Sequence, residues 1–301
     1  MATSSATLSP LSRLHTYASF VRIEHTLFSL PLLLAGVFSA PGPALSVGRW
    51  ALIAIAAVGA RTAAMALNRL IDRRLDALNP RTRARELPAG RMRTAEAVAL
   101  LLASAGAYLA ACAALGPWFL RVAPVPLAVF AIYPYLKRFT PLCHFGVGAA
   151  LALAPLAGYA AAHPDLARSG PALWLSGFAL TWVSGFDIIY ATLDEESDRG
   201  LGVHSMVVWL GRRRALAVSA ALHLASFGFL ALAAIAVLPL RTTPPGLLAA
   251  LVGTVLATGA LLWLEQRWAE DVNLAFFKVN VLVGFGVLAS VLVARAASGG
   301  F

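Results

Sequence analysis

The chain has 301 residues, of which 59% are hydrophobic and only 13% are charged, and its mean hydropathy is +0.77. An ordinary soluble domain has roughly 45–50% apolar and about 25% charged residues, so this composition excludes a soluble protein and predicts an all-α, polytopic membrane protein. The formal charge of +10 does not indicate a nucleic-acid partner, because the arginines flank apolar segments instead of forming one basic helix.

Nine apolar runs are long enough to cross a bilayer, which takes about 20 residues per crossing. Turn signals such as Gly116-Pro117 separate them, and three prolines interrupt the fourth run. We expect one membrane domain over residues 1–301 that starts with a flexible cytoplasmic segment at 1–18, whose acid-free composition also resembles an organellar transit peptide. The spans are expected near 20–40, 47–69, 95–116, 120–136, 143–162, 171–192, 214–238, 245–265 and 276–296.

The basic residues are unevenly distributed over the expected loops. With a cytoplasmic N-terminus, eighteen of the 24 Lys and Arg residues lie on the cytoplasmic side, five lie on the other side, and Arg61 lies within a span. This distribution follows the positive-inside rule. We therefore expect a multi-pass protein of the inner (plasma) membrane with its functional site facing the cytoplasm.

The second span continues into a charged helix that carries Asn68, Asp72 and Asp76. Steps of four residues drift only about 40° around a helix, so the three side chains share one face. Arg61, seven residues before Asn68, lies on the same face. The ordinary alternative is a solvated helix end whose acids pair with neighbouring arginines.

A second acidic cluster begins near the end of the sixth span, in the sequence FDIIYATLDEESDRG, which carries Asp187, Asp194 and Asp198. Two such clusters at one membrane surface repel each other unless a cation separates them. Hard oxygen ligands without a His or Cys cluster favour Mg²⁺, which bridges carboxylates to phosphate oxygens. We therefore predict that Mg²⁺ and a phosphate-bearing lipid bind to Asn68, Asp72, Asp76, Asp187, Asp194 and Asp198.

Four basic residues are candidates for binding the phosphate. Arg22 precedes the first span, and Lys137 and Arg138 close the fourth. Anchoring at the membrane interface explains these three nearly as well. Arg61 is different, because an unpaired arginine within a span is costly and therefore marks a functional cavity.

The two acidic motifs, NxxxDxxxD at 68–76 and DxxYAxxDxxxD at 187–198, resemble those of the UbiA superfamily of intramembrane aromatic prenyltransferases. The resemblance extends over nearly the whole chain through NPRTRARELPAG, YPYLKRFT, LGVHSMVVWLG and VNLAFF. Within the superfamily the chain is most similar to the 4-hydroxybenzoate polyprenyltransferase branch, including the menaquinone enzymes of the futalosine route.

The resemblance implies a Mg²⁺-dependent enzyme of quinone biosynthesis. It would transfer a polyprenyl group from a polyprenyl diphosphate to a small aromatic acid such as 4-hydroxybenzoate. Basic residues would stabilise the departing diphosphate, and Tyr190 would stabilise the allylic cation. The implied catalytic residues are Asp72, Asp76, Asp194, Asp198, Arg61, Lys137 and Tyr190. The implied substrate-binding residues are Arg22, Asn68, Tyr133, Arg138 and Asp187.

Other functions remain open at this point. The same motifs suit a naphthoate acceptor in menaquinone biosynthesis or another acceptor such as haem. A transporter is a more remote alternative, since transporters place ionisable groups near the bilayer midplane, whereas these clusters lie at the ends of spans. His144 and His204 show no metal-ligand spacing and are expected to be mainly structural.

Overall fold

A computed structural model describes residues 10–42, 44–163, 165–238, 243–269 and 275–298, and every regular element within these ranges is helical. Short 3₁₀ turns lie at Ile23–His25 and Leu166–Arg168, and a π-helical turn at Ala275–Val279 leads into the last helix. The helices are α1 (Pro10–Phe20), α2 (Thr26–Phe38), α3 (Val47–Leu78), α4 (Thr94–Leu115), α5 (Pro117–Val122), α6 (Pro124–Leu136), α7 (Cys143–Ala162), α8 (Gly170–Ala191), α9 (Glu195–Leu201), α10 (Met206–Leu210), α11 (Arg212–Val237), α12 (Pro245–Arg267) and α13 (Asn280–Ala297).

The predicted polytopic helical bundle is confirmed. Within the described residues, eight spans are long and apolar enough to cross a membrane, or up to nine if the bent pair Arg13–Phe20 and Ile23–Phe38 forms one span. Part of the VNLAFF motif (272–274) and part of the turn expected at 241–246 lie outside the described residues, as do residues 1–9.

The first described residues form helix α1, which includes the part of the expected N-terminal segment from residue 10 to 18. Residues 10–18 belong to α1, and the helix is held in place by its far end: Phe20 is fully buried. Ser19 Oγ donates a hydrogen bond of 2.7 Å to Glu86, and Arg13 pairs with Glu96 at 2.7 Å. Helix α1 thus contacts both the loop before α4 and α4 itself.

The fourth run forms two consecutive helices, each of which begins at a proline, and Pro134 is accommodated inside the second of them. Pro117 begins α5 and Pro124 begins α6, with Ala123 between them. Proline is tolerated in the first turn of a helix, where its missing N–H has no intrahelical partner. Together the two helices make one span, Pro117–Leu136.

Helix α8 occupies the centre of the bundle and packs between α7 and α11. Its side chains Leu175, Phe178 and Trp182 have no solvent exposure. A helix that is apolar on all sides is typical of such a buried position. Because the second acidic motif begins in the last turns of α8, a deeply buried helix positions it.

A close crossing of α2 and α7 depends on two glycines. A Cβ atom at Gly36 would collide with the carbonyl of Pro155, and one at Gly158 would collide with the carbonyl of Leu33. Small residues at such contacts let helix backbones approach closely in lipid.

Candidate active site

A cavity of about 210 Å³ lies where α3, α6 and α8 end and α7 begins, beneath the loops that follow α3 and α8. Both acidic motifs line it, so the two motifs share one site. Of the twelve residues predicted from the sequence, nine line the cavity: Asn68, Asp72, Asp76, Tyr133, Lys137, Asp187, Tyr190, Asp194 and Asp198.

Asp72 is the most enclosed carboxylate of the first motif, with 1% exposure. Lys137 Nζ lies 2.6 Å from its Oδ2, and Arg138 Nη1 lies 3.3 Å from its Oδ1. Asn68, one helical turn earlier, donates a hydrogen bond of 3.2 Å to Oδ2. The YxxxK segment at the end of α6 therefore supplies the counter-charge for the first motif.

Asp76 is paired with the loop that follows α3. Arg85 Nη1 donates a hydrogen bond of 2.7 Å to Asp76 Oδ1, and Arg69 Nη1 lies 4.0 Å from Oδ2. Thr82 Oγ1 donates to the Asp76 backbone carbonyl at 3.0 Å, which closes the turn over the helix end. Arg85 of this loop thus pairs with Asp76, the acidic residue that precedes the loop at the end of α3.

Asp194 links the second motif to the loop that follows the first motif. Arg81 Nε donates to its Oδ1 at 2.8 Å, and the Nη2 of the same guanidinium donates to Oδ2. Asn79 donates a further hydrogen bond of 2.8 Å to Oδ1, and Arg81 Nη1 donates to the Tyr190 hydroxyl at 2.7 Å. The Arg81 guanidinium also lies 4.7 Å from the centre of the Tyr190 ring, a cation–π distance.

The two aspartates after α8 differ in their proton affinity. Burial alone raises the pKa of Asp194, but the hydrogen bonds from Arg81 and Asn79 outweigh it and hold that pKa below its ordinary value. Burial and the neighbouring Asp194 charge raise the pKa of Asp198 to about 6, against the opposing charge of Lys137. Of these two aspartates, Asp198 is therefore the one that titrates nearer to neutral pH.

Asp187 has a histidine partner instead of an arginine or lysine. His144 Nδ1 lies 2.7 Å from Asp187 Oδ2, and the imidazole is 3% exposed. The backbone N–H of Met206 donates to His144 Nε2 at 3.2 Å. Because Nε2 accepts this bond, the ring proton is on Nδ1, and the Nδ1–H donates a hydrogen bond to the Asp187 carboxylate.

The remaining three predicted residues lie outside the lining of the cavity. Arg138 touches it indirectly through Asp72. Arg61 donates hydrogen bonds of 2.9 and 2.7 Å to the carbonyls of Val21 and Arg22, at the break between α1 and α2. Arg22 itself has a left-handed backbone (φ 49°) and pairs with Glu24 at 3.2 Å. Two backbone carbonyls thus serve as hydrogen-bond acceptors for the partly buried guanidinium of Arg61.

The acidic side chains do not form a ready-made metal cluster: within the described ranges, no three His, Cys, Asp or Glu residues are grouped to hold one ion. Arg81, Arg85 and Lys137 provide the positive charge instead. The site nevertheless fits a hard divalent cation. Asp72 Oδ1 and Asp76 Oδ2 are buried and accept no hydrogen bond, and oxygen ligands of this kind suit Mg²⁺.

Four residues of the site were not predicted from the sequence: Asn79, Arg81, Arg85 and His144. The first three belong to the NPRTRAREL stretch directly after the first motif, and its density of Asn and Arg was the available signal. His144 gave no spacing signal, because its partners Asp187 and Met206 are 43 and 62 residues away in the chain.

Known proteins are similar to this chain both in sequence and in fold. The UbiA prenyltransferase family matches residues 29–282. A 4-hydroxybenzoate octaprenyltransferase of Sodalis glossinidius is 30% identical over 77% of this chain and 79% of its own length. One of Vibrio campbellii is 25% identical over 92% of this chain and 96% of its own length.

Two solved structures extend the comparison to the fold. The apo structure of a UbiA homologue from Aeropyrum pernix K1 is 32% identical, covers 90% of this chain and 98% of its own, and has a TM-score of 0.79. A UbiA homologue from Archaeoglobus fulgidus bound to GPP and Mg²⁺ is 17% identical, covers 94% and 99%, and shares the fold with a TM-score of 0.68. The chain is a member of the UbiA prenyltransferase family.

Proposed function

We propose that this enzyme uses Mg²⁺ to transfer a polyprenyl group from a polyprenyl diphosphate to a small aromatic acid of the 4-hydroxybenzoate type, as a step of quinone biosynthesis. The observation that carries the proposal is the convergence of both acidic motifs on one cavity, with Arg81, Arg85 and Lys137 interleaved between the carboxylates. The names of the relatives from Sodalis and Vibrio support the choice of acceptor.

The side chains of Arg81, Arg85 and Lys137 can exchange their aspartate partners for phosphate oxygens. Each holds one aspartate, with Arg81 on Asp194, Arg85 on Asp76 and Lys137 on Asp72. A diphosphate entering the cavity offers these cations stronger anionic partners, since an arginine binds phosphate oxygens through two parallel hydrogen bonds. The freed carboxylate oxygens then become available as ligands.

The ligands for Mg²⁺ would be the oxygens of Asn68, Asp72, Asp76, Asp187, Asp194 and Asp198. When bound, Mg²⁺ would neutralise the charge that grows on the diphosphate as the C–O bond breaks. The lysine and arginine donors described above stabilise the same charge from the protein side.

The rest of the cavity suits a carbocation and an aromatic ring. Leu75, Val147, Tyr133 and Tyr190 line it, so apolar and aromatic surfaces lie next to the charged end. As the C–O bond breaks, its electron pair leaves with the diphosphate and the allylic carbon becomes cationic. Aromatic faces stabilise that cation, and exclusion of water prevents its capture.

The acceptor ring then attacks the cation at the carbon ortho to its hydroxyl group. The new C–C bond forms from a pair of ring electrons, and the proton on that carbon then passes to a basic oxygen of the released diphosphate or of a carboxylate, which restores aromaticity. Asp187, which lines the cavity and is oriented by His144, is one of the oxygen groups that face this region. Following the distribution of basic residues, we place this end of the bundle at the cytoplasmic face of the inner membrane.

Product analysis tests the proposal. The purified full-length protein is reconstituted with Mg²⁺, a polyprenyl diphosphate, and either 4-hydroxybenzoate or 1,4-dihydroxy-2-naphthoate, and the products are identified by mass spectrometry. We expect a C-prenylated 4-hydroxybenzoate that disappears in EDTA and in Asp72→Ala. Exclusive prenylation of the naphthoate would show that the acceptor is a naphthoate instead of 4-hydroxybenzoate. The absence of any C–C bonded product with either ring would refute aromatic acid prenylation.

A further inference from the structure

A second concave feature lies beside the active site, between the ends of α3 and α6. This groove has a volume of about 540 Å³ and is lined by Leu70, Ile71, Arg73, Arg74, Leu75, Tyr135 and Arg138. The prenyl transfer reaction does not require it. Its chemistry is mixed, with three guanidinium groups on aliphatic and aromatic walls.

The positive charge of the groove is largely uncompensated. No carboxylate is among its lining residues in the described structure. Arg73 and Arg74 are exposed, and neither forms an ion pair with a described residue; Arg73 donates only a hydrogen bond of 3.3 Å to Thr94 Oγ1. Arg138 is shared, because its Nη1 lies 3.3 Å from Asp72 on the active-site side. Neighbouring cations without counter-charge form a site for an anion.

The walls of the groove indicate the kind of anion. Both helices belong to membrane-spanning segments, Val47–Leu78 and Pro117–Leu136. On α6, exposed Val125, Ile132 and Tyr135 are spaced seven and three residues apart and form a lipid-facing stripe that leads to the groove. Tyrosine is typical of the level of lipid headgroups. An acyl chain has an apolar path here, which a soluble anion does not need.

We propose that this groove binds the headgroup of an anionic phospholipid, with its phosphate at Arg73, Arg74 and Arg138 and an acyl chain along the exposed face of α6. Basic pockets between transmembrane helices bind anionic headgroups in this way. The ion pair of Arg138 with Asp72 places the lipid directly behind the active site. Lipid binding is measured without turnover, so its outcome is independent of the proposed function.

The test compares lipid association in the reconstituted full-length protein. Spin-labelled phosphatidylglycerol and spin-labelled phosphatidylcholine are added in turn to phosphatidylcholine vesicles, and electron paramagnetic resonance gives the relative association constant. In Arg73→Gln/Arg74→Gln we expect the preference for phosphatidylglycerol to fall by about tenfold or more, because the headgroup loses two of the three cations that line the groove. Arg73→Lys/Arg74→Lys, which keeps the positive charge, should retain most of the preference for phosphatidylglycerol.

The matched control is Arg212→Gln/Arg213→Gln, which removes two adjacent exposed arginines from the start of α11. It should leave the preference within about twofold of the unaltered protein. An equal loss of the lipid preference in this control would show that surface charge in general attracts phosphatidylglycerol. That result would overturn the proposed lipid site. Displacement of the labelled lipid by inorganic phosphate at constant ionic strength would show a free-anion site and overturn the lipid assignment.

A second measurement needs no variant. Photoactivatable phosphatidylglycerol is cross-linked to the unaltered protein in vesicles, and the labelled peptides are mapped by mass spectrometry. We expect the label on the segments 70–75 and 132–139. Labelling that favours other segments over these two would overturn the proposal even if the glutamine variant failed to fold.

Discussion

The Arg81 guanidinium donates two hydrogen bonds to the Asp194 carboxylate, and this pair joins the loop after the first acidic motif to the second motif, 113 residues further along the chain. Arg81 also donates to the Tyr190 hydroxyl at 2.7 Å. One side chain thus contacts both an acid and an aromatic residue predicted to be catalytic. Entry of a diphosphate at this point requires Arg81 to exchange its partner.

Replacing Arg81 with alanine should therefore weaken the handling of the prenyl diphosphate. We expect KM for the diphosphate to rise by about tenfold or more, since charge-assisted bonds of this kind contribute roughly 1.5–3 kcal/mol. Steady-state kinetics with varied diphosphate measures the effect. Arg83→Ala is the control, because Arg83 is exposed and does not line the cavity. Equal KM values in the two variants would remove Arg81 from the site.

His144 should act by positioning Asp187 through its Nδ1–H. We expect His144→Ala to lower kcat by about tenfold with less effect on KM for the diphosphate, as for other residues that orient a functional ligand. In His144→Asn the side-chain amide places a donor near the position of Nδ1 and should restore most of kcat. His144→Gln, whose donor reaches further, should restore less. Equal kcat in the alanine and asparagine variants would contradict a positioning role.

The crossing of α2 and α7 should tolerate no side chain at Gly36. A Cβ atom there meets the Pro155 carbonyl, which cannot move without displacing the helix. We expect Gly36→Ala to lower the free energy of unfolding by about 1–3 kcal/mol or to prevent folding. Thermal unfolding in detergent measures this. Gly106→Ala is the control, since nothing lies within 4 Å of a Cβ at Gly106, and a similar loss there would show a general helix effect.

Ligand binding should depend on pH through Asp198. Its pKa of about 6 means that the carboxylate is mostly ionised at pH 7 and mostly protonated at pH 5. Since metal ligands must be deprotonated, the apparent affinity for Mg²⁺ should be constant above about pH 7 and fall by up to tenfold per pH unit below about 6. Titration of Mg²⁺ in the presence of a prenyl thiolodiphosphate measures it, with ligand binding in EDTA at each pH as the reference. A flat profile from pH 7 to 5 would count against this role of Asp198.

Helical periodicity alone predicts much of the site. The spacing of Asn68, Asp72 and Asp76 suffices to place them on one face, because those contacts are local to a helix. The charge distribution over the loops predicts that both motifs emerge at one end of the bundle, and both do line one cavity.

Contacts between distant segments cannot be read from the sequence. Arg81 and His144 reach their aspartates across 113 and 43 residues, and no periodicity encodes such a separation. The cost of an unpaired arginine in a span leads to the prediction that Arg61 marks a functional cavity, but Arg61 does not line the cavity described above. That cost implies only that Arg61 needs partners. It does not predict that these partners are the carbonyls of Val21 and Arg22, since backbone groups carry no sequence signature.

The most direct test of a shared site is a double-mutant cycle on the binding of a non-reactive prenyl thiolodiphosphate with Mg²⁺, using Asp72→Asn, Asp194→Asn and the double variant. If the two motifs hold one diphosphate, the second substitution should cost much less affinity than the first, with a coupling of about 1 kcal/mol or more. Additive losses from the two substitutions, or no loss from either, would contradict a site that both motifs share.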